Sequence, residues 1–195
     1  MALFLYNIFI VIYTAGIRAY SLLNPKARLW IKGRRRILRR IQQELSNNTQ
    51  PVVWMHCASL GEFEQGRPVL EAIKQEGKYK VVLTFFSPSG YENAKNYPNA
   101  DHIFYLPIDT PYRAKRFIDT LNPSLVLWVK YEYWYHILTE LKKRSIPTLL
   151  ISGIFRVDQA FFKWYGGIWR KMLPCFSHFF VQTEASKLLV ESLGY

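Results

Sequence analysis

Short runs of apolar and β-branched residues alternate with amphipathic stretches of ten residues or more from Pro51 to the end of the sequence. Near-continuous apolar runs are typical of strands covered on both faces, and the longer stretches are typical of helices that connect parallel strands. The predicted strands are Val52–Cys57, Lys80–Phe86, His102–Leu106, Leu125–Val129, Thr148–Ile151 and His178–Gln182. The pattern therefore predicts an α/β fold, an open, mostly parallel Rossmann-like sheet with helices on both faces.

Helix boundaries are marked by capping residues. A serine followed three residues later by a glutamate is the capping-box pattern, and it predicts helix starts at Ser59 and Ser89. Thr110, followed by a proline, predicts a third start. The predicted helix ends are Asn122-Pro123, Ile146-Pro147 and Gly194. Because the polar segment 46–50 (SNNTQ) is typical of a linker, we expect an N-terminal part, residues 1–45, and an α/β domain, residues 51–195.

Residues Ala2 to Ile17 form an almost uninterrupted apolar segment. As a helix it reaches about 24 Å, compared with about 30 Å for the apolar core of a bilayer. We expect a membrane anchor that either spans a thinned bilayer or lies in the interface. The positive charges follow this segment, whereas a cleavable signal peptide carries them in front. The segment is therefore expected to be retained, and the basic residues that follow it are expected to lie on the cytoplasmic side.

Positive charge is concentrated near the start of the chain. The formal net charge is +12, and nine basic residues precede the first acidic residue, Glu44. This basic arm consists of Arg18, Lys26, Arg28, Lys32, Arg34, Arg35, Arg36, Arg39 and Arg40. Such a cluster binds the phosphates of nucleic acid, of anionic lipids or of a phosphorylated substrate. Because the arm directly follows the apolar segment, we expect it to bind anionic inner-membrane lipids and no nucleic acid.

Candidate metal ligands and reactive thiols are few. The only cysteines, Cys57 and Cys175, lie among apolar residues and are too isolated for a disulfide framework or a zinc site. His56 has no second histidine at ligand spacing, which favours a packed, hydrogen-bonded histidine. Asp109, directly before Thr110, fits turn and cap chemistry. We predict no metal and no cofactor.

The loops after the strands carry the candidate chemistry, because ligands of open parallel sheets bind beyond the carboxyl ends of the strands. The first of these loops, within HCASLGEFEQGRP, opens a helix whose backbone N–H groups near Gly61 favour an anion. Glu62 lies at the rim of this loop. Its spacing from Ser59 fits a capping role and a catalytic role equally well.

Several blocks of this sequence resemble one enzyme family. HCASLGEFEQGRPVL resembles the H-x-A-S-x-G-E motif of the 3-deoxy-D-manno-octulosonic acid (Kdo) transferases, and SPSGYENA resembles their T-x-T-G segment. YLPIDTPYRAKRFIDTLNPSLVLWVKYEYW resembles their Y-L-P-x-D-x-P to E-L-W region, and VQTEASKLLVESLG their A-Q-S to L-G stretch. The resemblance implies the N-terminal, acceptor-binding half of a GT-B glycosyltransferase, with the CMP-Kdo-binding domain beyond Tyr195.

The resemblance also implies roles for particular residues. Glu62 corresponds to the general base that deprotonates the acceptor hydroxyl, and Glu132 to a carboxylate that supports the transition state. The implied acceptor-binding residues are Ser59, Gly61, Lys130 and Arg156. The family's E-x-E-L-W-P-N run appears here as residues 130–136, so Lys130 replaces its first carboxylate. Apart from the resemblance, Glu132 also fits a salt bridge to Lys130 or Arg156.

The implied reaction is an inverting transfer of Kdo from CMP-Kdo to a lipid A precursor in lipopolysaccharide biosynthesis, at the cytoplasmic face of the inner membrane. Because the family's donor site lies mainly in the second domain, we expect residues 1–195 alone to bind acceptor but to be inactive. The alternative is a non-catalytic, membrane-docked module that binds anionic lipid through the basic arm. A serine hydrolase is disfavoured because the sequence contains no G-x-S-x-G motif.

Overall fold

The computed structural model describes residues 1–195 and contains one six-stranded sheet in which every pairing is parallel. The strands are β1 (Val52–Cys57), β2 (Lys80–Phe85), β3 (His102–Tyr105), β4 (Pro123–Val129), β5 (Thr148–Gly153) and β6 (His178–Val181). Their order is β3-β2-β1-β4-β5-β6, so the chain winds outward from β1 in one direction and from β4 in the other. This doubly wound order confirms the open Rossmann-like α/β fold predicted from the sequence.

Helices cover both faces of the sheet. They are α1 (Ala2–Tyr20), α2 (Pro25–Gly33), α3 (Ile37–Leu45), α4 (Leu60–Gln75), α5 (Pro88–Ala94), α6 (Pro111–Leu121), α7 (Tyr135–Lys143), α8 (Gly167–Arg170) and α9 (Glu184–Glu191). Helices α3, α6 and α7 pack on the face that contains Trp54 and Trp128. Helices α4 and α5 pack on the face that contains Met55 and Phe85. Neighbouring residues of a strand thus enter different cores, which explains the near-continuous apolar runs.

Coverage of the strands falls from the centre of the sheet to its edges. All six residues of β1 are buried, as the sequence predicted for a strand covered on both faces. No residue of the edge strand β6 is fully buried, and Phe180 in that strand is 51% exposed. The expectation of burial on both faces is therefore wrong for β6, because only Phe179 and Val181 pack against the larger core, whereas His178 and Phe180 on the opposite face are exposed.

The predicted helix starts are correct in two of three cases. Thr110 accepts a hydrogen bond from the N–H of Arg113 and caps α6, and α4 begins directly after Ser59. The start predicted at Ser89 is wrong, because α5 begins two residues earlier. Its cap is Ser87, whose hydroxyl accepts from the N–H of Gly90 at 3.3 Å, and a proline occupies the first helical position, where its missing N–H costs nothing.

Helix α1 lies against the sheet domain although most of its apolar side chains are exposed. Tyr6 donates a hydrogen bond to Asp109 at 2.5 Å, and the amide oxygen of Asn7 lies 2.7 Å from Nε2 of His136. Ile10 is buried in a small apolar cluster between the helix and the domain. By length and composition alone, α1 is also long and apolar enough to cross a membrane.

Asp109 is the anchoring point for α1. The carboxylate is 1% exposed and accepts hydrogen bonds from the backbone N–H groups of His136 and Ile137 at 2.9 Å, in addition to that from Tyr6. Asp109 therefore caps α7 and not α6. Helix α6, which follows Asp109 in the sequence, is capped by Thr110. Burial raises the pKa of the Asp109 carboxyl above its ordinary value.

Part of the basic arm is built into the domain. Helix α3 contributes Ile37, Ile41 and Leu45 to the larger core. Arg34 is 9% exposed, and its guanidinium donates to the backbone carbonyls of Leu106 at 2.9 Å and Phe86 at 2.7 Å. Burial lowers the pKa of Arg34 to about 9. The expectation that the whole arm binds phosphate is wrong for Arg34, because its donors are already used by the fold.

Candidate active site at the carboxyl edge of the sheet

The candidate catalytic residues meet where the winding of the sheet reverses. Strands β1 and β4 are neighbours, and the chain leaves them in opposite directions. Glu62 lies in the first turn of α4, directly after β1, and Glu132 lies in the loop directly after β4. In open parallel sheets this switch point is where a crevice forms and ligands bind. The fold therefore brings together two carboxylates that are 70 residues apart in the sequence.

Glu62 is held at the N-terminus of α4. Its carboxylate accepts a hydrogen bond from the backbone N–H of Ala58 at 2.5 Å, and 8% of the residue remains exposed. Ser59 makes no side-chain cap hydrogen bond, so the serine half of the predicted capping box does not form. The Glu62 carboxylate thus caps the helix and remains partly accessible to solvent. Both roles that its spacing allowed, capping and catalysis, are compatible with this position.

The electrostatic environment brings the pKa of Glu62 to about 7. Burial is the largest cause of the increase, and the charge of Glu132 adds to it. The N–H group of Ala58 and the charge of Lys130 act in the opposite direction, because both favour the ionised form. A carboxyl group with a pKa near neutrality is suited to proton abstraction, since it is partly ionised and still basic at working pH.

Glu132 is oriented by two ring nitrogens. Nε2 of His56 lies 3.0 Å and Nε1 of Trp134 lies 3.1 Å from the same carboxylate oxygen. The backbone carbonyl of Glu132 accepts a further hydrogen bond from Trp128 at 2.5 Å. The alternative role for Glu132, a salt bridge to Lys130 or Arg156, is therefore wrong. Its carboxylate is hydrogen-bonded to the side chains of His56 and Trp134 instead.

His56 belongs to a buried hydrogen-bonded chain that ends at Glu132. The histidine is fully buried, and its Nδ1 lies 2.9 Å from the hydroxyl of Thr84, its partner in register on β2. Trp54 donates to the same hydroxyl at 2.8 Å. When that hydroxyl donates onward to Nδ1, the proton of the neutral imidazole lies on Nε2 and is donated to Glu132. The prediction of a packed, hydrogen-bonded histidine is confirmed, and its contact with the site is additional.

Lys130 and Arg156 both lie near the ring of Tyr131. The ammonium of Lys130 lies 5.5 Å and the guanidinium of Arg156 lies 6.0 Å from the ring centroid. Lys130 is near enough to Glu62 for its charge to lower the pKa of that group. Arg156 is exposed and pairs with Asp158 at 3.5 Å. The cations are thus available to an anionic ligand, with Lys130 nearer to Glu62.

Ser59 and Gly61 leave space at the mouth of the crevice. Ser59 is extended, and its hydroxyl is not used as a cap. A Cβ atom added at Gly61 meets no atom within 4 Å, so the packing of the chain does not require glycine there. Both positions remain predicted acceptor contacts.

The two cysteines are not reactive groups of this site. Cys57 is buried at the end of β1 and Cys175 is buried in the larger core. Burial raises the pKa of Cys57 well above its ordinary value and that of Cys175 to about 11, so both thiols stay protonated at neutral pH. No group of three or more histidine, cysteine, aspartate or glutamate side chains is arranged to hold a metal ion.

Comparison with protein families gives one match over most of the chain. Residues 32–195 match the family model of the 3-deoxy-D-manno-octulosonic-acid transferases (kdotransferase). The match begins within the basic arm and includes α3 and the whole sheet.

Individual relatives agree with this match. A 3-deoxy-D-manno-octulosonic acid transferase of Aquifex aeolicus is 31% identical over 112 residues, covering 57% of this chain and 30% of that protein. The enzyme of the same name from Chlamydia pneumoniae is 29% identical over 148 residues, covering 74% of this chain and 34% of that protein. A bifunctional glycosyltransferase/methyltransferase of Fusobacterium nucleatum is 24% identical over 164 residues, or 81% of this chain and 26% of that protein. The chain thus spans about a quarter to a third of these relatives.

Among solved structures, a protein from Listeria monocytogenes described as a UDP-N-acetylglucosamine 2-epimerase is similar in fold. The TM-score is 0.56 and the sequence identity is 12%, and the alignment covers 76% of this chain and 43% of that one. At this identity the likeness supports the fold alone.

Proposed function

Because the chain belongs to the 3-deoxy-D-manno-octulosonic-acid (Kdo) transferase family, we propose that it forms the acceptor-binding half of a glycosyltransferase of lipopolysaccharide biosynthesis. The proposed reaction transfers Kdo from CMP-Kdo to a lipid A precursor. The observation that carries the proposal is the position of Glu62, whose carboxyl has a pKa of about 7 beside Glu132 at the switch point of the sheet. The CMP-Kdo donor is held mainly by a second domain.

In the proposed mechanism Glu62 is the general base. It accepts the proton of an acceptor hydroxyl as the oxygen attacks the anomeric carbon of Kdo and the bond to CMP breaks, which inverts the configuration. Glu132 supports the positive charge that develops on the sugar. Its hydrogen bonds from His56 and Trp134 fix the carboxylate in one orientation, and that preorganisation is the basis of electrostatic catalysis.

Acceptor binding is assigned to the polar groups around this pair. Ser59 and Gly61 offer a hydroxyl and an open backbone at the helix N-terminus, where a negative group is stabilised. Lys130 and Arg156 supply positive charge near the ring of Tyr131. This distribution suits an acceptor that carries phosphate or carboxylate groups.

We place the domain at the cytoplasmic face of the inner membrane, bound to anionic lipids. The exposed cations near α1 support this location; they are Arg18, Lys26, Arg28, Lys32, Arg35, Arg36 and Arg39. The contacts of Tyr6, Asn7 and Ile10 with the domain favour an α1 that lies in the interface over one that spans the bilayer.

The test follows the mass of the lipid acceptor in the full-length protein that contains this chain and a donor-binding domain. Wild-type protein is expected to add the mass of one or more Kdo residues in the presence of CMP-Kdo. Glu62→Ala is expected to abolish the gain in mass. The control is Glu64→Ala, two residues further along α4, whose side chain forms a salt bridge only with Arg67; this variant is expected to retain the gain. Wild-type turnover by Glu62→Ala would remove Glu62 from the mechanism.

The alternative, a non-catalytic module that docks on anionic membranes, is supported by the same exposed cations and apolar helix. It predicts vesicle binding by the full-length protein but no change in the mass of the acceptor. The mass measurement therefore separates the two functions.

A further inference from the structure

An apolar groove of about 560 Å³ runs between α1 and the segment around α8. Ten residues line it and all of them are hydrophobic. Leu5 and Phe9 form the wall on α1, and Trp134, Tyr165 and Trp169 contribute to the opposite wall. The volume lies within the range of about 300–1,000 Å³ that is usual for small-molecule sites. The groove is thus large enough for a ligand, and its lining excludes a charged one.

We infer that this groove binds one acyl chain of the lipid acceptor while the sugar headgroup occupies the crevice at Glu62 and Glu132. The inference rests on the proposed function, because it requires the crevice to be the acceptor site. It adds the part of the acceptor that the polar residues do not contact.

The groove and the crevice share one side chain. Trp134 lines the groove and its Nε1 donates to the carboxylate of Glu132 at 3.1 Å. One edge of this indole therefore faces a polar site while the ring forms part of an apolar one, an arrangement that tryptophan allows because it has a single polar atom. A ligand with a polar head and an apolar chain matches both sides of Trp134, whereas a wholly polar or wholly apolar ligand matches one.

The surroundings of the groove favour a membrane lipid as the source of the chain. Leu5 and Phe9 are each 56% exposed, so the groove is open along the wall on α1. Trp164, adjacent to the groove residue Tyr165, is 92% exposed, and exposed tryptophan and tyrosine side chains are typical of the membrane interface. A chain leaving a bilayer therefore meets apolar side chains continuously until it reaches Trp134.

The test measures binding of a monomeric lipid to residues 1–195. The probe is a lysophospholipid with one dibrominated stearoyl chain, kept below its critical micelle concentration, because bromine quenches tryptophan fluorescence only on close contact. We expect saturable quenching that requires the indoles at the groove. Trp134→Phe combined with Trp169→Phe is expected to lose most of it, and Trp164→Phe is expected to retain it.

Glutamine substitutions on α1 separate the groove from general adsorption to the helix. Leu5→Gln and Phe9→Gln place a polar group in the groove and are each expected to weaken probe binding about tenfold. Val11→Gln and Ile12→Gln are matched controls, since these apolar side chains are also exposed on α1 but do not line the groove. The controls are expected to bind the probe like the wild type. Circular dichroism checks that all four variants remain folded.

Absence of saturable quenching in the wild type overturns the inference, and so does an equal loss in the groove and control variants. Quenching confined to Trp164 also overturns it, since this indicates contact with the outer surface. These results are independent of catalysis. If residues 1–195 bind the probe as expected but the full-length protein adds no Kdo, the groove stands as an acyl-chain site, whereas the proposed function and the assignment of that chain to the acceptor are refuted.

Discussion

Two opposing effects act on the ionisation of Glu62 in the folded chain. Its carboxylate accepts the N–H of Ala58 at the start of α4, where negative charge is ordinarily stabilised. Burial beside Glu132 opposes ionisation more strongly, and the pKa of Glu62 rises from 4.5 to about 7. The residue is therefore held in a state that costs stability at neutral pH and that is suited to taking a proton.

The raised pKa of Glu62 predicts a particular dependence of stability on pH. The folded chain binds this proton more tightly than the unfolded chain, so the stabilisation is complete below about 4.5 and is lost as the pH rises to about 7. Glu62→Gln mimics the protonated form and removes this dependence. At pH 8 we expect the variant to be more stable than the wild type by about 1–3 kcal/mol, in urea unfolding.

The control for this prediction is Glu64→Gln, whose side chain is exposed beside Arg67. Because an exposed ion pair contributes little, we expect this variant to change the free energy of unfolding by less than about 1 kcal/mol across the pH range. A Glu62→Gln variant that is less stable than the wild type at pH 8 would show that the carboxylate stabilises the fold when ionised.

The sequence predicts the two carboxylates of the site but not the groups that orient them. Glu62 and Glu132 lie in loops that follow strands, and the family motifs mark them. The contact between His56 and Thr84 depends on the register of β1 with β2, and the contact between His56 and Glu132 closes a separation of 76 residues. Such contacts are set by packing of the sheet, which no local pattern encodes.

At the scale of elements, the strands are predicted well because periodicity reports burial directly. The predicted start of α5 is wrong because both Ser87 and Ser89 are suitable cap residues. The proline after Ser87 favours the earlier start, since proline fits the first helical position. The placement of α3 is unexpected, since its charged residues suggested an arm while Ile37, Ile41 and Leu45 share one face and enter the core. The high content of charged residues therefore obscured an amphipathic helix that has only a narrow apolar face.

The docking of α1 on the domain depends on Asp109. Asp109→Ala removes the acceptor of two backbone N–H groups at the start of α7 and of the Tyr6 hydroxyl. Because these donors are then left unsatisfied, we expect a loss of about 2–4 kcal/mol in the free energy of unfolding. We also expect faster proteolysis between α1 and α2, measured by mass spectrometry of the fragments.

Asp119→Ala is the matched control, since this aspartate is exposed on α6 and makes only a surface salt bridge to Arg144. Such a bridge contributes about 0–1 kcal/mol. Equal losses of stability in the two variants, or unchanged proteolysis in Asp109→Ala, would contradict the role of Asp109 as the anchoring point for α1.

At the scale of the whole molecule, neighbouring arginines serve different purposes. Arg34 donates to carbonyls of the sheet domain, whereas Arg35 is exposed. The exposed cations and the apolar helix lie on consecutive segments, which gives two weak membrane signals that act together. One short basic segment therefore contains a structural arginine and exposed cations, which we propose bind anionic lipid.

Paired substitutions separate these purposes. Arg34→Met keeps an apolar stem but leaves carbonyls of Phe86 and Leu106 without donors, and we expect a cost of about 2–4 kcal/mol in unfolding. Arg35→Gln is expected to leave stability unchanged and to weaken binding to anionic vesicles about fivefold, since one interfacial cation contributes about 1 kcal/mol. Unfolding titrations and vesicle sedimentation measure the two effects. The reverse assignment of effects would contradict this division.

The measurement that tests the account most directly is kcat/KM for Kdo transfer by the full-length protein as a function of pH. Since Glu62 must be ionised to accept a proton, we expect the value to rise with pH and to level off above about 7, following the pKa of the free enzyme. Glu62→Gln is expected to lower the plateau by about 100-fold or more and to remove the rise. A variant that keeps the wild-type profile and rate would contradict the assignment of Glu62 as the general base.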